Sequence, residues 1–265
     1  MRLFDYSKLV MGERQLYKYL DVDGGLAMMS DKTLMFTHPL GMNDPFDCHP
    51  ALIDCSKAPE ERCRIWGPKL IEDLETNHLE QKRDRVYLCC LSKVHNSIPM
   101  WAHYAKHCGI CIGINMEKAK VYLDRMFGLM IGCQELEVQY KDIINKPDFY
   151  RDYFDRFRYQ FATKAKEWQY EQEVRLLSYD PSPQYMRLLE GQKGTKKHPL
   201  TIKDTHMFLH IGGECFESVY MGLNTSDKDK EKIIKVAHRC NPDIKIYQMT
   251  MDPHALRLKE EPISI

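Results

Sequence analysis

The sequence predicts an α+β protein with a mixed, largely antiparallel sheet flanked by helices. Two observations carry that expectation. Short apolar runs of strand character (86–92, 109–115, 174–179 and 245–251) are interspersed with stretches of helical period, without a regular βαβ repeat. Neither an internal repeat nor a linker is visible, so residues 1–265 read as a single domain.

Each element follows from local pattern. Residues 15–19 read as a strand, 22–30 as a short helix capped by Asp21 or Asp23, and 33–37 as a second strand. Pro39, Gly41 and Asn43-Asp44-Pro45 make 38–45 a loop. Residues 58–83 are charged and amphipathic, a predicted helix with Trp66, Leu70 and Leu74 on its apolar side. Strand 86–92, helix 98–106 and strand 109–115 come next, then strand 136–140 and an aromatic helix over 149–168. Five Pro and Gly residues and the basic stretch Lys193–His198 make 180–200 a long surface loop. Strands 206–211 and 218–221, helix 227–239 with caps among Asn224–Asp227, and strand 245–251 complete the chain.

Composition narrows the function classes. Lys+Arg and Asp+Glu are both 38, so no net field argues for nucleic acid or an acidic membrane, although a local basic patch stays open. No apolar run approaches the ~20 residues of a membrane span, and the first residues lack the apolar core of a signal peptide. Ten cysteines fit free thiols in a reducing compartment, and a cytoplasmic protein is expected.

The chemistry-bearing stretch is Trp168-Gln-Tyr-Glu-Gln-Glu-Val-Arg175. On a strand, positions i and i+2 share a face, so Glu171 and Glu173 are expected together at a strand mouth, with Arg175 beside them. Two readings stay open: an exposed strand start neutralised by Arg175, or a cleft whose carboxylates an arginine keeps ionised and ordered. Asn43-Asp44-Pro45-Phe46-Asp47 is turn chemistry, or a cleft wall in which Asn43 or Asp44 reaches a ligand. Met100, Trp101 and Tyr104 fall at helical spacing, as a core face or as a stacking wall for a planar ring. Cys108 and Cys111 lie three apart in a strand and face opposite sides, so neither a metal site nor a redox pair is expected. Gly212-Gly213 is a turn, or a backbone site for phosphate. No Walker A, GxGxxG, HExxH or GxSxG pattern occurs.

Taken in order, Leu16-Tyr17-Lys18-Tyr19, Asn43–Asp47, Met100–Tyr104 with Gly109, and Trp168-x-Tyr170-Glu171-x-Glu173-x-Arg175 resemble the DUF2971 family of uncharacterised proteins. A looser resemblance is to ADP-ribosyltransferase-like proteins, including DNA-modifying toxins and RNA 2′-phosphotransferases. It implies NAD as substrate and a role as ADP-ribosyltransferase or NAD glycohydrolase, in a bacterial toxin or anti-phage effector. The acceptor would be an unidentified protein or nucleic acid. In that reading Glu173 is the catalytic carboxylate and Glu171 positions the acceptor. Lys18, Tyr19, Thr37, Asn43, Asp44 and Arg175 contact the nucleotide, and Trp101 or Tyr104 stacks on nicotinamide. The first-strand histidine or arginine of those enzymes is absent, and Leu20 stands where DUF2971-like sequences often carry a basic residue. The alternatives are a non-catalytic module binding a nucleotide or a protein, and a metal-dependent nuclease.

Overall fold

The computed structural model describes residues 14–128, 133–179, 200–203 and 206–263. Over these the chain is mixed α+β, with most strand pairs antiparallel.

β1 (Gln15–Leu20) leads into α1 (Val22–Asp31), where the Asp21 carboxylate accepts a hydrogen bond from Gly24 N at 2.7 Å and caps the helix. Lys32, left-handed at φ 54°, ends it, and β2 (Thr33–Thr37) follows. The single helix predicted over 58–83 is two, α2 (Glu60–Trp66) and α3 (Pro68–Arg83). Gly67 takes φ 77° and Pro68 lacks an N–H, so the chain breaks and restarts there. The inward stripe also differs from the expected one. Ile71, Glu75 and Leu79 are buried at four-residue spacing, whereas Trp66, Leu70 and Leu74 are exposed.

β3 (Val86–Ser92), α4 (Ile98–Ala105) and β4 (Ile110–Asn115) match the predicted runs within a residue, and α5 (Met116–Gly128) had no counterpart in the sequence reading. The strand predicted over 136–140 is β5 (Cys133–Glu137) and β6 (Gln139–Lys141). The aromatic helix predicted to reach 168 stops early. α6 (Tyr153–Ala162) gives way at Thr163 to β7 (Thr163–Ala165), which pairs in parallel with β6, and then to a 3₁₀ turn, Lys166–Glu171. Backbone pairing with β6 wins there over aromatic periodicity. The remaining elements are β8 (Glu173–Tyr179), β9 (Leu200–Lys203), β10 (His206–His210), β11 (Phe216–Met221), α7 (Asp227–Cys240), β12 (Lys245–Met251) and β13 (Leu258–Pro262). Residues 180–199 of the predicted loop, Lys193–His198 included, lie outside the described residues.

The chain divides into two compact units whose segments alternate along the sequence. The first comprises Met1–Lys32, Val94–Leu123 and Ile211–Ile265. Its strands run in the order β13-β12-β11-β4-β1, and only β11 and β12, joined through α7, are parallel. β4 is buried throughout, and α7 packs on α1. Trp101 is a core residue of this unit. Its indole donates to His95 O at 2.8 Å, and its ring meets Tyr19 edge-on.

The second unit comprises Thr33–Lys93 and Asp124–His210. Its main sheet runs β9-β10-β2-β3-β8-β5, antiparallel throughout. β8 lies between β3 and β5, and its Val174, Leu176 and Leu177 are fully buried, each stabilising by roughly 1.5–3 kcal/mol. Pairing on both sides carries the start of β8, and hence Glu173, into the interior.

Gly109 shows how closely backbones approach in the first unit. A Cβ there would stand 2.2 Å from Leu20 O and 3.0 Å from Ala105 O. Gly109→Ala is therefore expected to cost about 1–3 kcal/mol. The check is the urea midpoint at unchanged slope, and an unshifted midpoint contradicts the account.

Candidate functional site

Glu171 and Glu173 do meet, but not through strand periodicity. Glu171 ends the 3₁₀ turn, Gln172 takes the left-handed conformation at φ 43°, and β8 begins only at Glu173. The reversal at Gln172 replaces the alternation that a continuous strand would impose. Both carboxylates converge on Lys164 of β7, whose Nζ is 2.6 Å from Glu171 Oε2 and 3.4 Å from Glu173 Oε2. The backbone around them is pinned. Ser92 Oγ donates to Glu171 O at 2.7 Å, Lys93 N to Gln172 O at 3.0 Å, and Glu173 N to the Tyr140 hydroxyl at 2.7 Å.

Arg175 holds the cluster together. It is wholly buried, and each of its five N–H groups has an acceptor. Nε and one terminal nitrogen grip Glu173 at 2.9 and 3.0 Å. A second fork grips Asp47 at 2.6 and 2.8 Å, and the fifth N–H donates to Phe161 O at 2.9 Å. Lys164 Nζ lies 4.0 Å from Asp47 as well, and 4.7 Å from the Trp168 ring centroid.

Electrostatics follow from this packing. Burial pushes the Glu173 carboxyl up, but the charges of Arg175 and Lys164 outweigh it and bring it down to about 2. Burial works against the Lys164 ammonium, yet Glu173, Glu171 and Asp47 raise it above its ordinary value. Burial also raises the Tyr140 hydroxyl. Glu173 is thus a fixed anion at neutral pH, unsuited to donate a proton but able to face developing positive charge.

Beside the network lies a cleft of about 330 Å³, lined by Lys93, Glu137, Val138, Tyr140, Gln169, Gln172 and Glu173. Lys93 and Glu137 are ion-paired in its wall.

The expected site residues are distributed as follows. Glu171, Glu173 and Arg175 come together in the second unit. The Asn43–Asp47 loop delivers Asp47 to the network. Asn43 is exposed, and Asp44 accepts from Phe46 N at 2.9 Å in the turn the sequence suggested. Thr37 ends β2, opposite Leu88 and His206. Lys18, Tyr19, Trp101 and Tyr104 belong to the first unit. There the Trp101 ring is enclosed in the core, so the expectation of an open stacking wall is corrected, and the Tyr19 hydroxyl donates to Val94 O at 2.9 Å. Tyr104 is half-buried on α4. At Gly212-Gly213 the backbone makes a 3₁₀ turn, with the Glu214 carboxylate against Gly212, where a phosphate would be repelled.

Two members of the network escaped sequence reasoning. Asp47 was visible as the last residue of the Asn-Asp-Pro motif. Lys164 had no signal, because it sat inside a predicted helix. Among the described residues no group of three or more His, Cys, Asp and Glu side chains is arranged to hold a metal. Where Asp47, Glu171 and Glu173 converge, the cations are Lys164 and Arg175 themselves.

Arg175→Met would leave Asp47 and Glu173 buried without their main cation and is expected to cost about 3–5 kcal/mol in urea unfolding. The Glu173 carboxyl sits below its ordinary 4.5, so its stabilisation is complete above that pH and is lost as pH falls towards about 2. Glu173→Gln should flatten the acid limb of the stability curve over this window. Superimposable acid limbs for the two proteins count against the assignment.

No curated protein and no solved structure matches the chain. Residues 100–176, from α4 to β8 and including Lys164, Glu171, Glu173 and Arg175, match the model of a family described as "Protein of unknown function (DUF2971)", so over that segment the chain is similar to DUF2971 proteins.

Proposed function

We propose that the cleft beside Glu173 binds NAD or a related nucleotide, and that the protein acts on NAD as an ADP-ribosyltransferase or NAD glycohydrolase. The observation that carries this reading is Glu173 itself, an ionised carboxylate only 5% exposed that walls a polar cleft. When the bond between nicotinamide and ribose breaks, its electron pair leaves with nicotinamide and the ribose carries positive charge. A preorganised anion in a dry site stabilises that charge with little reorganisation. Water, or a nucleophile on a protein or nucleic-acid acceptor, would then take the ribose carbon and release a proton. Such chemistry suits a toxin or an anti-phage effector acting in the cytoplasm, within the ADP-ribosyltransferase-like architecture that the sequence resembles.

A non-catalytic nucleotide-binding module has one specific observation in its favour. Both Glu173 oxygens are already engaged, one by Arg175 and the other by Arg175 and Lys164.

Nicotinamide release from NAD, followed together with the thermal midpoint, separates the two. On the catalytic reading, release falls roughly 100-fold in Glu173→Gln and survives EDTA. A thermal shift with NAD but no release selects the binding module, and release abolished by EDTA selects metal chemistry. With neither shift nor release, the nucleotide assignment fails.

A further inference from the structure

Arg156 of α6 is placed quite differently from Arg175. It is 8% exposed, and its guanidinium carbon lies 4.0 Å from the Phe149 ring centroid and 4.6 Å from that of Tyr153. It donates to Phe149 O, but among the described residues no carboxylate pairs with it. Lys82, in the last turn of α3, brings its Nζ within 5.9 Å of the same Tyr153 centroid and likewise has no carboxylate partner among the described residues. His78, one turn earlier, meets the Phe149 ring edge-on at 6.2 Å.

The acids nearby are occupied or turned to other tasks. Glu75 accepts from Arg62 at 2.6 Å, Asp148 from Tyr150 N at 2.9 Å, and Asp152 from Asp148 N at 2.8 Å. Asp84 pairs with Arg83, and Asp155 is exposed on α6. None of these acids pairs directly with Arg156 or Lys82. Burial lowers the Lys82 amine and Arg156 lowers it further, while burial and then Lys82 lower the His78 imidazole. A buried cation without a counter-ion is costly, and an arriving anion removes part of that cost.

Over these cations Tyr153 keeps 60% of its surface exposed. Phe157, one turn further along α6, stacks on the partly exposed Tyr179 with centroids 6.4 Å apart. An open ring beside cations that no carboxylate engages directly matches a base next to a phosphate.

We propose that Tyr153, backed by Arg156 and flanked by Lys82, binds single-stranded nucleic acid, with a base stacked on the open face of Tyr153 and a phosphate at Lys82. The site goes beyond the NAD reading and stands independently of it. The balanced total of 38 acidic and 38 basic residues does not oppose it, because a total does not describe how charge is placed within a patch.

Fluorescence anisotropy of the full chain with a labelled oligouridine of about 12 nucleotides, at salt from about 50 to 200 mM, tests it. Saturable binding that weakens with salt is expected. Tyr153→Ala should weaken it about tenfold, and Lys82→Ala should reduce the salt slope by about 0.7. Tyr153 is exposed and Lys82 half-buried, and circular dichroism confirms that the variants fold. The proposal is overturned by an absence of saturable binding, by wild-type affinity and salt slope in both variants, or by uridine monophosphate binding as tightly as the oligomer. No NAD enters the assay, so its failure is separate from failure of the nucleotide reading.

Discussion

The buried guanidinium of Arg175 is the constraint around which the second unit is arranged. An arginine in the interior is tolerated only when its charge is paired and each of its donors is met. Here that demand is filled by residues far apart in sequence: Asp47 from a loop, Glu173 from its own strand, and the Phe161 carbonyl near the end of α6. The end of α6, the Asn-Asp-Pro loop and the start of β8 are thereby tied to one point. Lys164 extends the tie to Glu171 and so fixes the turn that precedes β8. Replacing such a network by apolar residues can be neutral in stability, so its energetic worth lies in the cost of breaking it and in the single geometry it enforces.

That geometry bears directly on chemistry. The same two cations that keep Glu173 ionised also engage its oxygens, so the carboxylate is both preorganised and restrained. Preorganisation favours stabilising a cation that develops beside it. Restraint favours recognition over reaction. Which property prevails turns on how much of Glu173 a bound ligand can reach from the cleft it walls.

Arg175 and Arg156 make an instructive pair within one unit. The first is saturated by two carboxylates and a carbonyl, so its charge is consumed internally. The second is stacked between two rings with no carboxylate, beside a lysine in the same condition. Both are buried, and only their partners differ. A saturated arginine ties distant segments to one point, and an arginine without a carboxylate partner is held by rings and a carbonyl instead.

Local sequence pattern was enough to specify the α+β class, most strands of the sheet and the central actors Glu171, Glu173 and Arg175. Those features are local: apolar runs, caps such as Asp21, and charges set within an apolar strand. It did not determine where the helix after 149 stops, which face of α3 is buried, or that Lys164 and Asp47 complete the network. Each of those depends on contacts distant in the chain. β7 forms because β6 is there to pair with it, and α3 turns Ile71 inward because of what it packs against. Lys164 becomes a network member only once β7 has replaced helix. Even the convergence of the two glutamates, expected from alternation along a strand, comes instead from a left-handed Gln172. Spacing in sequence brings side chains together only when the backbone between them is regular, and the tertiary structure decides where that regularity ends.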